Sequence, residues 1–430
     1  MLEIIYILSL ALLLGIFVAW PKVSLYFLAF TLPIIGWNFS WQGMSIPLID
    51  LIAILASAAL ILRLVYQSFF IVSSSHQLKI KWPLIIPFLT ILVVNFISAA
   101  WSENPISSFY YIFRWLILLY VAYIFLPYNL ITDGRTLRKT IIALVLGGLA
   151  VLISAYLSLY GQDWRDSFFR ISSISLFNVY PFGENHNLIA EYLNVSAFLI
   201  LTWRFLIKKE RYQRLGDLLF LIMALAIILT FSRAGWATLG LQMGAYLWFY
   251  FRTRQRKSLE IIIGFILLIL LTTPFIWKMN QLQKDNISST ENRWLLTTIS
   301  WESFTKRPFL GFGSGSYLSL VDSNIRFKAK YGDAIDSHGA IQKIAAENGL
   351  FGLFAWFLVL ADLFKISIRS LKRYSQEYPW FLTLWLAASG GLFFQLFNTS
   401  YYKGKAWLPV ALFLAAVRLL DAKYDKQKQN

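Results

Sequence analysis

The chain has no cysteine among its 430 residues. Disulfides, thiolate nucleophiles and cysteine-ligated metal sites are therefore excluded. Charge is nearly as scarce: Asp, Glu, Lys and Arg make up 14% of the sequence, whereas a soluble domain carries roughly 25%. Only three histidines occur, with no Asp-x-Asp pair and no His-x-x-x-His spacing. No metal or cofactor is expected. Acidic residues number 22 against 39 basic ones, a net charge of +17. That basicity does not point to nucleic acid, because Lys and Arg gather in short links between apolar runs, where they orient a membrane protein.

Apolar residues take the place of charge. They make up 58% of the chain, with 17 Trp and 22 Tyr suited to membrane interfaces. Runs at 4–20, 23–37, 46–66, 82–100, 107–126, 139–159, 188–207, 216–231, 234–251, 259–277, 349–368, 380–398 and 405–420 approach the roughly 20 residues that cross a bilayer as helix. The expected fold class is an all-α polytopic membrane protein with about 12–13 transmembrane helices, the second run being short. Residues 1–430 read as a single integral membrane domain, without internal repeat. The first run lacks a charged n-region and a small-residue cleavage site, so it is expected to remain as an anchor.

Basic links assign sidedness. Lys208-Lys209-Glu210-Arg211, Arg252 to Lys257, Lys372-Arg373 and the tail with Lys423, Lys426 and Lys428 mark the cytoplasmic face. His76 falls on that face as a surface residue. The opposite face then carries the loop near 162–187, the turn Phe231-Ser232-Arg233-Ala234, the link at 401–407 and one long polar segment, 278–348. This segment is expected to be a large helical loop, with Ser314 reachable from outside.

Four constellations stand out. Arg233 sits between two apolar runs on the outer face, where an unpartnered arginine costs about 2.5 kcal/mol or more; the plain alternative is a snorkelling rim residue. Arg293 lies near the start of an amphipathic helix with Ser288, Ser289 or Thr290 as caps and Leu295, Leu296, Ile299, Trp301 and Phe304 as its apolar side. Paired guanidinium donors suit phosphate oxygens. His338 offers a neutral imidazole near pH 7, a natural general base for a hydroxyl; His186, just before a span, is the weaker second candidate. Asp50 and Arg114 lie at similar depth below the outer surface and are expected to pair, as a structural ion pair or as the polar floor of an outer cleft. The run Gly311-Phe312-Gly313-Ser314-Gly315 is not followed by Gly-Lys-Ser/Thr and follows no strand, so it is neither a P-loop nor a dinucleotide fingerprint. It reads as a turn where backbone passes closely.

Together these residues resemble the O-antigen ligase and O-antigen polymerase family of bacterial membrane glycosyltransferases. The resemblance runs from Gly183 to Gly352: Gly183-x-Asn185-x-Asn187 with Glu191-Tyr192-Leu193, Ser232-Arg233-Ala234-Gly235, Arg293, Pro308-x-x-Gly311-x-Gly313-x-Gly315, and His338 followed by Glu347-x-Gly349-x-x-Gly352. The family often shows His-Asn where this chain has His338-Gly339. The resemblance implies an inverting, metal-independent transfer of a glycan from undecaprenyl diphosphate to an acceptor hydroxyl, at the periplasmic side of the bacterial inner membrane. Arg233 and Arg293 would hold the diphosphate and His338 would take the acceptor's proton; Asn187, His186, Asp50 and Arg114 are candidates for support by their positions in the sequence. The partners implied are the lipid-linked glycan, membrane lipid and an acceptor that is either a glycan or lipid A-core. The competing reading is a polytopic transporter or flippase without glycosyl transfer, although no paired halves are visible.

Overall fold

The computed structural model describes residues 2–41, 44–70, 80–163, 168–253, 259–282, 286–375 and 378–429. His76, the link at 254–258 and the side chains of Ser288, Ser289 and Thr290 lie outside the described set. Helices dominate because backbone at hydrocarbon depth must satisfy its hydrogen bonds internally. In chain order they are α1 (Leu2–Ala19), α2 (Pro21–Thr31), a hairpin of β1 (Asn38–Trp41) and β2 (Met44–Pro47), α3 (Leu48–Phe70), α4 (Ile85–Ala100), α5 (Pro105–Leu130), α6 (Gly134–Leu157), α7 (His186–Leu206), α8 (Glu210–Leu229) and α9 (Arg233–Thr253). Then follow α10 (Leu259–Leu282), α11 (Asn286–Lys306), α12 (Tyr317–Asp322), α13 (Ile325–Tyr331), α14 (Ala340–Tyr374), α15 (Pro379–Phe394) and α16 (Gly404–Gln429).

The protein is thus an all-α polytopic membrane protein. Among the described residues, seven helices are long and apolar enough to cross a membrane: α3, α5, α6, α7, α8, α10 and α14. Three shorter apolar helices accompany them. The count falls below the expected one for local reasons. Trp, Tyr and Gly rather than aliphatic side chains fill α9, while Lys405, Arg418 and Asp421 interrupt α16. The expected second span is the 11-residue α2, only about 16 Å long at 1.5 Å per residue. The chain then turns into the hairpin, where Phe39 lies opposite Ile46.

Helix α7 is the axis of the bundle. It packs against α6, α8 and α15, and 83% of its apolar window is buried, against 22% for α10. Its polar residues are buried with partners. Arg204 meets Asp217 of α8 through two hydrogen bonds, 2.7 and 3.1 Å. Glu191 accepts from Gln395 at 2.7 Å and Asn398 at 2.8 Å, and pairs with Lys405. Because α7, α8 and α9 run antiparallel, the N-termini of α7 and α9 share one end of the bundle with the last turn of α8. At the other end Lys81, Arg369, Arg373 and Arg418 surround a cavity of about 470 Å³.

The segment between α10 and α14 is helical and has a small core of its own: Leu296, Ile299, Tyr317, Val321 and Phe327, closed by Ala346 of α14. Trp301 does not join it and is 64% exposed, because it lies five residues past Leu296 and so about 140° around the helix. The glycine-rich run clasps α14 where that helix breaks at Gly349, φ 62°. Phe312 N and Gly313 N donate to Ala346 O and Glu347 O at 3.1 and 2.8 Å, and Leu350 N donates to Pro308 O at 2.7 Å. A Cβ on Gly311 would run into the Glu347 carbonyl, and one on Gly349 would come within 2.5 Å of the Phe309 carbonyl carbon. Helix α4 closes the clasp through Ser98, which donates to Leu310 O at 2.6 Å and Glu347 O at 3.0 Å. Ser314 is 1% exposed, bonded to Asn95 at 2.6 Å and Asn348 at 3.0 Å. The expectation that Ser314 is reachable from outside is therefore overturned: its hydroxyl is sealed between two helices.

Candidate active site

Arg233 is placed by the turn that joins the end of α8 to the start of α9. Phe231 takes the left-handed φ of 54°, uncommon for an aromatic residue, and its ring is held between Phe168 at 4.9 Å and Trp236 at 5.7 Å. Ser232 then caps α9: its Oγ accepts from Gly235 N at 3.1 Å and donates to Asn187 Oδ1 at 2.6 Å. Asn187 stands in the first turn of α7, so one hydrogen bond ties the start of α7 to the start of α9. Their first residues are His186 and Arg233. Helix N-termini carry partial positive charge and unpaired N–H groups, which favour anions.

Arg170 belongs to the same neighbourhood, although nothing in the sequence singled it out. Ile171 N donates to Leu229 O at 2.9 Å, at the end of α8, and the Arg170 guanidinium lies 5.5 Å over the Phe168 ring. Arg293, on α11, is half-buried; its Nε is buried without a hydrogen bond. Burial, and then the charge of Arg233, pull Arg293 below the usual arginine range, yet a guanidinium stays charged in proteins. His186 feels the charges of both Arg170 and Arg293. Among the described residues no carboxylate pairs with Arg170, Arg233 or Arg293 within 4 Å. Three cations beside two helix N-termini, with no paired carboxylate among the described residues, are an arrangement that an anion would satisfy.

His338 lies next to it. Burial and the charge of Arg293 lower its pKa to about 4, against the opposing pull of Asp336. The imidazole is thus neutral at pH 7. A buried chain of contacts holds its loop to the helix carrying Arg293. Asp336 accepts from Lys343 Nζ at 2.8 and 2.9 Å, and Lys343 stands 3.9 Å from Glu347 Oε1. That oxygen also accepts from Tyr317 N at 3.2 Å, and the Tyr317 hydroxyl donates to Leu296 O at 3.0 Å and lies 3.0 Å from Ser300 Oγ. Arg293, Leu296 and Ser300, three and seven residues apart, share one face of α11. The loop's other side is fixed by Ala340 N donating to Gln395 O at 2.9 Å.

Asp50 and Arg114 do pair, with 3.5 Å between Oδ2 and Nη2. Arg114 sits in a wide π-helical stretch of α5, Ile112–Ile117, and stacks 4.7 Å from the Trp115 ring. The pair lines a different cavity and makes no contact with Arg233, Arg293 or His338. Among the described residues no group of three or more His, Asp or Glu is arranged to hold a metal ion.

Residues 218–357 match the family model for O-antigen ligase. This stretch is similar to the O-antigen ligase domain. The match bears out the resemblance to O-antigen ligases and polymerases and supports, in general terms, a multi-pass membrane glycosyltransferase of the O-antigen ligase type in polysaccharide biosynthesis. The domain contains Arg233, Arg293, His338 and the Glu347–Gly349 clasp, while Arg170, His186 and Asn187 precede it and are brought to it by the fold. No curated protein matches the chain. One solved chain, from the structure described as "Structural coordination of polymerization and crosslinking by a peptidoglycan synthase complex", aligns at 15% identity with a TM-score of 0.41, covering 80% of this chain and 99% of that one. A likeness this low carries no argument.

Proposed function

We propose that the protein transfers a glycan from undecaprenyl diphosphate to an acceptor hydroxyl by inversion, without a metal ion, at the periplasmic face of the inner membrane. The observation that carries this reading is the position of Arg293, whose charge acts on His338 on one side and meets that of Arg233 on the other. The diphosphate is seated on Arg233, Arg293 and Arg170 at the start of α7 and α9. His338 accepts the acceptor's proton as the acceptor oxygen bonds to the anomeric carbon. The bond from that carbon to the diphosphate oxygen breaks, and the leaving diphosphate keeps the electron pair. Fixed cations then stabilise the charge that grows on it, the largest contribution in many such sites. A transporter would need no imidazole poised beside the phosphate-binding arginines.

The test is transfer by purified protein given an undecaprenyl-diphosphate oligosaccharide. His338→Ala is expected to lose about 10²–10⁴-fold in kcat, the usual contribution of a general base. Arg293→Ala is expected to lose about 10²–10³-fold. Wild-type rates from both variants would refute the mechanism.

A further inference from the structure

The Asp50–Arg114 pair is left over from this chemistry. It stands at the junction of two cavities. One is an apolar groove of about 530 Å³ between α3 and α5, lined by Ile54, Ala58, Ile61, Phe113 and Ile117. Ile54, Ile61 and Phe113 are 46%, 55% and 58% exposed, so the groove opens sideways towards lipid. The other is a cavity of about 50 Å³ with a mostly apolar wall, to which Asp50, Arg114, Lys403 and Lys405 bring charge beside Trp115 and Tyr402. One water needs roughly 10–15 Å³ of such space. The cavity therefore has room for a small group such as a phosphate.

Its charges do not balance. Lys405 is spent on Glu191, and Arg114 faces Asp50. Lys403 remains; its Nζ lies 5.9 Å from the Trp115 ring and pairs with no carboxylate within 4 Å among the described residues. Glycine at 404 lets the backbone press on the Tyr123 ring, which a Cβ would strike, and so seats Lys403 and Lys405 together. Asp50 is 7% exposed, and its Oδ2, 3.5 Å from Arg114 Nη2, makes no hydrogen bond. A bare phosphate would satisfy Lys403 and Arg114 but be repelled by Asp50. The ligand that satisfies all three carries an anionic group beside a hydroxyl donor, on an apolar chain.

A chain of contacts leads from the cavity towards His338. Lys343, which holds Asp336, sits 5.1 Å from the Tyr402 ring, and the charge of Asp336 reaches both His338 and Lys403.

We propose that this is the acceptor's site, for a second polyprenyl-linked sugar phosphate. Its chain lies in the α3–α5 groove, its phosphate rests on Arg114 and Lys403, a sugar hydroxyl donates to Asp50, and its glycan end is delivered to His338. This rests on the glycosyl-transfer reading and narrows the acceptor to a lipid-linked glycan. A groove between two helices admits one chain, not the several chains of lipid A.

Native mass spectrometry of the full chain in detergent tests it, with an undecaprenyl-diphosphate oligosaccharide as probe. The wild type is expected to bind two lipids. Arg293→Gln should release one, and Lys403→Gln or Ala58→Trp should release the other, each with at least about a tenfold loss of affinity. Two variants at separate parts of the site guard against one that fails to fold. A single bound lipid in the wild type overturns the proposal, as do two retained in both Lys403→Gln and Ala58→Trp. Equal competition for the second position by phosphatidylglycerol makes it a structural lipid and also overturns it; preferential competition by lipid A-core assigns it to the other acceptor. If Arg293→Gln keeps both lipids and full transfer, the donor reading has failed instead.

Discussion

His338 stays neutral at physiological pH because burial and Arg293 both oppose its protonation. A base acts when unprotonated, so activity is lost as pH falls through its pKa. The acid limb of kcat/KM, which reports the free enzyme, is expected near pH 4 rather than near 6.5. The acid limb of kcat should lie higher, because a bound diphosphate neutralises Arg293 and favours the protonated ring. Arg293→Gln removes one of the two causes and should move the kcat/KM limb upward; an unmoved limb would mean that Arg293 does not act on the histidine. Arg170 makes a different prediction. It is held by backbone and ring contacts beside the Arg233 turn and is pulled down by burial. Arg170→Ala should weaken donor binding by about tenfold or more, read as a raised donor KM. An unchanged donor KM removes Arg170 from the site.

Among the elements, the broken α14 and the glycine-rich run stand or fall together. Gly349→Ala forces a side chain into φ 62°, ψ −154°, a region kept for glycine, at about 1–3 kcal/mol, and adds a Cβ 2.5 Å from the Phe309 carbonyl carbon. Gly332 has a similar φ of +77° but open space around it, so Gly332→Ala should cost only the strain. Thermal unfolding in detergent separates the two, and equal losses would show that the clasp contributes nothing. The sequence told that backbone passes closely at Gly311 to Gly315, but not that the partner is Glu347 to Gly349, some 35 residues on. The same limit explains the other misses. Arg233, Arg293 and His338 were visible because an arginine or imidazole among apolar residues stands out by composition. Arg170 was not, since its place is set by the bond from its neighbour Ile171 to Leu229, 58 residues further on. Nor did anything local mark the Glu191–Lys405 pair, separated by 214 residues. Ser314 was misread because a small polar residue in a loop carries no sign that Asn95 of a membrane helix will bury it.

For the whole molecule, the absence of cysteine makes sidedness directly measurable. Asp333 and Lys426 are both exposed, one beside the candidate site and one in the basic tail. Asp333→Cys should react with an impermeant thiol reagent added to intact spheroplasts, and Lys426→Cys only after lysis. The reverse pattern would invert the topology and move the chemistry to the cytoplasm. The clasp has a further consequence for how the chain is made. The Ser98 hydroxyl and the Asn95 side-chain oxygen, whose amide nitrogen already donates to Ile91 O, bond to Leu310, Glu347 and Ser314, which leave the ribosome more than 200 residues later. Until then these two groups sit beside lipid without the bonds they will finally make, at a cost of a few kcal/mol. The front half of the protein therefore waits, inserted but unfinished, for its catalytic half to arrive.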